Sequence, residues 1–164
     1  MKLPVHTQVT TTASPLGRIT LAAAGQNLVG VWFEGQAHHP DVASFDQSPQ
    51  HPVLRQAAEQ LAEYFAGQRA AFDVPLDLTS GTVFQQTVWQ ALLGIARSQT
   101  CSYKALSEAI GRPSAMRAVG AAVGRNPLSI IVPCHRVVGA NGALTGYAGG
   151  LERKTALLHL EGAL

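Results

Sequence analysis

The chain has 164 residues, of which 46% are hydrophobic and 13% are charged. This apolar content is sufficient for a sizeable core in one or two domains. No stretch is apolar for long enough to span a membrane, and residues 1–12 lack the apolar segment of an export signal. We therefore expect a cytoplasmic protein with no membrane partner.

The net charge of +2 conceals two halves of opposite charge. Residues 1–79 carry four basic and seven acidic side chains, whereas residues 80–164 carry eight basic and three acidic ones. Clustered lysine and arginine neutralise phosphates, so the second half is suited to a nucleic-acid surface. A solvated basic face is the alternative interpretation.

Residues 1–79 predict an antiparallel meander followed by one helix. Turn residues separate three short runs of strand-forming sequence, Gln8–Thr12, Arg18–Ala24 and Leu28–Phe33. Pro52 suits the first position of a helix with an apolar stripe, and Gly67 suits the position beyond its end. Residues 69–76 are expected to return to the sheet.

Beyond a polar linker at residues 77–81, the pattern becomes helical. One helix follows the linker, Ser102 can cap a second helix that Gly111 ends, and Ser114 can cap a third over residues 115–123. The short turn between the second and third helices indicates a helix-turn-helix. The small residues of the third helix are equally compatible with tight packing in a core.

The chain contains two cysteines, Cys101 and Cys134, and no CxxC pair. In a cytoplasmic protein this favours reduced thiols over a disulfide or a zinc site. His38, His39 and His51 lack a matching thiol or carboxylate pattern, so we predict no metal site. We interpret Cys101 as a packing residue without a catalytic role.

Cys134 lies within the sequence Pro133-Cys134-His135-Arg136, behind the apolar run 128–132. The β-branched run predicts a short buried strand that ends at the cysteine. A lone cysteine is usually a buried packing residue, but an adjacent imidazole and guanidinium favour a reactive thiol. Neighbours on an extended segment point to opposite faces, so His135 would need a water relay or a bent backbone to act on the sulfur.

Several ordered motifs in residues 81–162 closely resemble the O6-alkylguanine-DNA alkyltransferases. They are Ser102-Tyr103, Arg117-Ala118-Val119-Gly120, Asn126-Pro127, Pro133-Cys134-His135-Arg136, Gly146-Tyr147, Gly149-Gly150 and Glu161-Gly162. The resemblance implies an α+β protein with two domains. Residues 1–79 would form a small ribonuclease-H-like sheet-plus-helix scaffold, and residues 80–164 a mainly helical, winged-helix or helix-turn-helix-like domain that binds DNA and accepts the alkyl group.

The resemblance also implies direct-reversal DNA repair without a cofactor. The alkyl group of O6-alkylguanine would move irreversibly to Cys134, once per protein molecule. His135, through a water and backed by Glu161, would form the relay that makes the thiolate. Asn126 would support the turn before the active-site segment and belong to the same polar network.

The resemblance assigns two further sets of residues. Arg117 matches the arginine that enters the base stack where the damaged nucleotide has rotated out. Its helix would lie in the minor groove, with further contacts from Ala118, Gly120, Ala121 and Arg125. Tyr103 would hydrogen-bond the flipped base, and the guanine pocket would be lined by Val137, Tyr147 and Ala148.

The expected partner is double-stranded DNA that contains O6-alkylguanine, bound by a monomer. Clustering on DNA, repair of O4-alkylthymine and the preferred alkyl group are left open. Relatives commonly carry proline and glycine where this chain has Ala96 and Ser98, which leaves that loop's geometry open. Two rival functions remain: a winged-helix regulator, which needs no thiol, and a cysteine hydrolase, which turns over many substrates.

Overall fold

The computed structural model describes all 164 residues and divides into two compact units, Met1–Ser80 and Gly81–Leu164. The first unit contains a four-stranded sheet in the order β3-β2-β1-β4. Its strands are β1 (Gln8–Thr12), β2 (Ile19–Ala24), β3 (Asn27–Phe33) and β4 (Asp46–Gln47). β1, β2 and β3 pair antiparallel, which confirms the predicted meander, and β4 pairs parallel with β1.

Both faces of this sheet are covered, since β2 and most of β3 are buried along their length. Helix α1 (Pro52–Phe65) packs against β2 and β3, with Pro52 at its start as predicted. A second apolar cluster contains Leu3, Val9, Ala22, Val29 and Trp32. Burial on both faces explains why β2 and β3 are almost continuously apolar rather than alternating.

The segment 69–76 returns to the sheet, as predicted, only at its end, beside β3. Only a single parallel bridge joins Leu76 to Leu28, supported by hydrogen bonds from Leu28 N–H to the Pro75 carbonyl (2.8 Å) and from Asp77 N–H to the Leu28 carbonyl (3.0 Å). Pro75 has no N–H, so it cannot extend a ladder. Strand β4 has only two exposed polar residues, so it lacked any hydrophobic signal.

The second unit is mainly helical, with short parallel strands β5 (Cys101–Ser102) and β6 (Val137–Val138). Its helices are α2 (Val83–Leu92), α3 (Tyr103–Ala109), α4 (Met116–Gly124) and α5 (Leu151–Leu160). α2, α3 and α4 pack against one another, and Trp89 Nε1 donates from α2 to the Ala122 carbonyl of α4 (2.8 Å). α3 and α4 form the predicted helix-turn-helix.

The two predicted helix caps in this unit have different outcomes. Ser102 caps α3 by accepting from Ala105 N–H (3.0 Å), as predicted. The prediction for Ser114 is wrong, because α4 begins at Met116 after Ala115 and has no side-chain cap. A turn closed from Ala115 N–H to the Arg112 carbonyl (2.9 Å) places Ser114 inside the turn. None of the five helices combines the length and apolarity needed to cross a membrane.

Gly30 in β3 provides a test of packing in the first unit. A Cβ at this position would lie 1.8 Å from Cη2 of Trp32, whose indole folds back over the glycine. We expect Gly30→Ala to lower the free energy of unfolding by about 1–3 kcal/mol, because the buried indole must move. Urea denaturation measures this loss.

Gly124→Ala is the control, because a Cβ there meets no atom within 4 Å. It should leave the free energy of unfolding unchanged or raise it slightly. An unchanged denaturation midpoint for Gly30→Ala would contradict the packing of Trp32 described above.

Candidate active site

Cys134 lies in a single 3-10 turn, Cys134–Arg136, and only 4% of its surface is exposed. The predicted strand at residues 128–132 is wrong, because this buried run forms turns instead. Val132 N–H donates to the Leu128 carbonyl (2.9 Å), and Ile130 has a positive φ of 72°. The backbone around the cysteine is therefore bent, which was one of the two alternatives left open for His135.

The side chain of Asn126 closes this turn. Its Oδ1 accepts from Leu128 N–H (2.9 Å), and its Nδ2 donates to the Val132 carbonyl (2.8 Å) and to Sγ of Cys134 (3.1 Å). These bonds satisfy backbone groups that a strand would have paired in a ladder. Asn126 thus both shapes the turn and contacts the sulfur directly.

His135 and Glu161 form a buried pair at the end of α5. His135 Nε2 lies 2.8 Å from Glu161 Oε1, and neither side chain is exposed. A carboxylate can only accept, so Nε2 carries the proton and Nδ1 carries the lone pair. Nδ1 has no protein hydrogen-bond partner. Burial lowers the pKa of His135, so its ring is neutral and can accept a proton at Nδ1.

Arg136 is bound to Glu161 rather than aimed at the thiol. Its Nε donates to Oε2 and its Nη2 to Oε1, both at 2.9 Å, while Nη1 donates to the Ile95 carbonyl (2.6 Å). A buried carboxylate requires such a partner, because an unpaired ion in the interior is strongly destabilising. Arg136 is adjacent to Cys134 in the sequence, but its guanidinium binds Glu161, which lies 25 residues further along the chain.

Lys154 is the cation that influences Cys134, and sequence analysis did not assign it a role. It is fully buried, and its Nζ donates to the carbonyls of Val137 (2.5 Å), Thr145 (2.9 Å) and Gly146 (3.1 Å). Its position does carry a sequence signal. Lys154 precedes the buried Leu157 by three residues, so a lysine occupies the apolar stripe of α5.

Burial raises the pKa of the Cys134 thiol, while the hydrogen bond from Asn126 and the charge of Lys154 act in the opposite direction. Burial is the largest of these influences, so the free protein holds a thiol rather than a thiolate at neutral pH. The chemistry therefore needs an acceptor for the thiol proton. The unpaired Nδ1 of His135, in the same 3-10 turn as Cys134, is the candidate acceptor.

Tyr103 begins α3 and is half-buried. Burial is the largest influence and raises the pKa of its phenol, and the negative charge of Cys134 in its thiolate form would raise that pKa further. The same tyrosine borders a cavity of about 560 Å³. The cavity is lined by Ser102, Tyr103, Lys104, Met116, Arg117, Gly120, Gly139, Ala140 and Asn141. Cys134 is not part of this lining. Tyr103 both lines the cavity and interacts electrostatically with Cys134, so it connects the cavity with the sulfur.

The residues predicted to contact DNA lie on one helix and its end. The side chains of Arg117, Ala118, Ala121 and Arg125 are exposed, and Gly120 is half-buried with a Cβ position 3.8 Å from the Tyr103 ring. Of the predicted pocket residues, Val137 is buried, whereas Tyr147 and Ala148 are half-buried. No group of three or more His, Cys, Asp or Glu side chains is placed to bind a metal.

Both halves of the chain match one protein family. Residues 8–78 match the ribonuclease-like domain of 6-O-methylguanine DNA methyltransferase, and residues 83–163 match its DNA binding domain. The methylated-DNA–protein-cysteine methyltransferase of Mycobacterium tuberculosis is 50% identical over 148 residues, which are 90% of this chain and 88% of that protein. The Methanosarcina acetivorans protein of the same name is 47% identical over 151 residues, 92% and 95% of the two chains.

A solved structure shares the whole architecture. The crystal structure of Mycobacterium tuberculosis OGT in complex with DNA has a TM-score of 0.89 and 49% identity, and the match covers 94% of this chain and 92% of that one. A ribonuclease-like unit joined to a helix-turn-helix unit with a buried cysteine defines an α+β DNA-binding class. Within that class, the chain belongs to the 6-O-methylguanine DNA methyltransferase family. The predicted family and fold class are confirmed.

Lys154 generates a prediction about thiol reactivity. Lys154→Met removes the positive charge that lowers the pKa of Cys134, so that pKa should rise. Because the thiolate is the reactive form, alkylation by iodoacetamide should become several-fold slower at neutral pH, and its pH profile should move to higher pH. Mass spectrometry of Cys134 at a series of pH values measures both effects.

Lys104→Met is the matched control, since its side chain is 77% exposed. It should leave the pH profile unchanged. Lys154→Arg retains the positive charge, so its pH profile of Cys134 alkylation should be closer to that of the parent than the profile of Lys154→Met is. Identical profiles for the parent and a folded Lys154→Met protein would show that the charge does not act on the thiol.

Proposed function

We propose that this protein repairs alkylated DNA by transferring the alkyl group from guanine O6 to Sγ of Cys134, once per molecule. The single observation that supports this most is the buried polar chain around the sulfur: Asn126 contacts it, and His135, backed by Glu161, has a free lone pair. Residues 1–79 act as the scaffold domain. Residues 80–164 bind DNA and accept the alkyl group.

The transfer begins with removal of the thiol proton. Nδ1 of His135 accepts it through a water, and Glu161 stabilises the imidazolium through its bond to Nε2. The thiolate then attacks the alkyl carbon. A sulfur–carbon bond forms, the carbon–O6 bond breaks, and its electron pair leaves with the guanine.

Negative charge develops on the departing guanine, and Tyr103 donates its phenol proton to the base. Such donors, aligned with the charge that develops in the transition state, contribute strongly to catalysis. The proton on His135 then restores the phenol through solvent, so all protons are balanced. Val137, Tyr147 and Ala148 line the pocket that holds the base.

The substrate is duplex DNA, bound by a monomer in the cytoplasm. Helix α4 enters the minor groove and presents Ala118, Gly120, Ala121 and Arg125, whose small or cationic side chains suit close approach to phosphates. The lesion rotates out of the stack toward Tyr103, and Arg117 fills the gap. Arg117 and Tyr103 line the same cavity, which supports this division of roles.

The stoichiometry of transfer tests the proposal. When the protein is mixed with an excess of methylated duplex, mass spectrometry should find one added methyl per protein, located on the Cys134 peptide. Cys134→Ser should acquire none, whereas Cys101→Ser should react like the parent, because Cys101 carries no proposed role. Sustained turnover without a modified protein would instead indicate a hydrolase, and full repair by Cys134→Ser would indicate that the thiol is not used.

Arg117→Ala tests the role of the arginine in the stack. Extruding a base costs a few kcal/mol, and losing about 1.4 kcal/mol of compensation slows a reaction about tenfold. We expect repair of methylated duplex to slow by about tenfold or more, while reaction with free O6-methylguanine base stays near the parent rate. Arg112→Ala is a control on the turn before α4. Equal losses on duplex and free base would exclude gap filling by Arg117.

A further inference from the structure

Met116 is a large apolar side chain that the proposed mechanism does not use. It is the first residue of α4, and 48% of its surface is exposed. The other exposed residues of this helix are Arg117, Ala118 and Ala121. Single exposed apolar side chains are common on protein surfaces, so the informative observation is where Met116 lies.

Met116 lines the cavity of about 560 Å³ that Tyr103 borders. Two of the lining residues, Lys104 and Arg117, are cationic, and none is acidic. A ligand that matches such a lining combines a negative charge with an apolar face. A nucleotide has both, because its phosphate is an anion and its deoxyribose presents C–H groups.

Helix geometry separates the positions of Met116 and Arg117. Met116 and Gly120 are four residues apart, so they lie on the same face of α4. A Cβ at Gly120 would lie 3.8 Å from two ring atoms of Tyr103, so this face packs toward the phenol. Arg117 is rotated from Met116 by about 100° around the helix axis. Met116 therefore lies on the Tyr103 side of α4, toward which the lesion rotates, and Arg117 lies beside it.

The cavity lies outside the proposed base pocket. Cys134, Val137 and Tyr147 are not among its lining residues. A nucleotide whose base reaches Cys134 therefore leaves its sugar and phosphate in the cavity. The sugar is the apolar part of that remainder, and it meets the apolar part of the lining.

We propose that Met116 is a positioning residue that packs against the deoxyribose of the extruded nucleotide and so stabilises its extrahelical state. This inference rests on the proposed function. The contact removes apolar surface of both partners from water. The flexible thioether of methionine can follow the irregular surface of a sugar. No bond forms or breaks in this contact, so the balance of the transfer step is unchanged.

Three substrates test the inference: free O6-methylguanine base, a methylated single-stranded oligonucleotide and a methylated duplex. The readout is the single-turnover rate of Cys134 methylation. Met116→Ala should slow transfer from both oligonucleotides by about 3- to 10-fold, as expected when a half-exposed methionine no longer becomes buried. Reaction with the free base should stay at the parent rate, because the base carries no sugar.

Three variants serve as controls. Met116→Leu retains an apolar side chain and should recover most of the rate, whereas Met116→Gln keeps the length, ends in an amide and should not. Leu93→Ala removes a side chain that is 42% exposed and does not line the cavity, so it should match the parent on all three substrates. Alanine is a strong helix former, so Met116→Ala should keep the stability of the parent in urea denaturation.

Every other pattern of rates overturns the inference. A loss by Met116→Ala on the duplex alone would indicate gap filling beside Arg117, and an equal loss with the free base would indicate action at the reacting atoms. Parent rates on both oligonucleotides, or full activity of Met116→Gln, would exclude the apolar contact while transfer to Cys134 stands. If the parent acquires no methyl at Cys134 from any substrate, the proposed function itself fails.

Discussion

Burial of the Glu161 carboxylate constrains everything around the reactive sulfur. An isolated ion in the interior is strongly destabilising, so the carboxylate must be paired and hydrogen-bonded. Arg136 satisfies both of its oxygens, and Oε1 still accepts from His135. The arginine therefore supplies the charge that keeps a carboxylate in the core, and the carboxylate fixes the tautomer of the histidine. The lone pair of His135 Nδ1 is a consequence of that pairing.

The site contains two buried cations with separate tasks. Arg136 neutralises Glu161, whereas Lys154 binds three carbonyls and partly offsets the burial of the thiol. Because burial still dominates, Cys134 is held as a thiol until an acceptor takes its proton. This arrangement protects a soft nucleophile from stray electrophiles, since the thiolate is the reactive form. The ammonium of Lys154 binds the carbonyls of both Val137 and Thr145, so one side chain holds these two backbone segments in place.

Local patterns in the sequence were sufficient for most of the fold, and less so for the site. The meander, α1 and the Ser102 cap follow from turn residues and short-range periodicity. The run at residues 128–132 was wrongly predicted as a strand because it is buried and rich in β-branched residues. The side chain of Asn126 instead forms hydrogen bonds with the backbone groups of Leu128 and Val132. The partners of Arg136 and Lys154 could not be predicted, because both are set by contacts between segments distant in sequence.

The loop at Ala96 and Ser98, whose geometry the sequence left open, supports Glu161 from the backbone side. Ser98 adopts a positive φ of 69°, a conformation that costs a residue with a Cβ about 1–2 kcal/mol. Its hydroxyl donates to the Glu161 carbonyl, and Arg97 donates to the Leu160 carbonyl (3.1 Å). These carbonyls lie at the end of α5, where no helical N–H remains to bind them. A hydrogen bond contributes about 0.5–1.5 kcal/mol. The bond from the Ser98 hydroxyl therefore offsets most of the cost of the positive φ, a cost that glycine would not have.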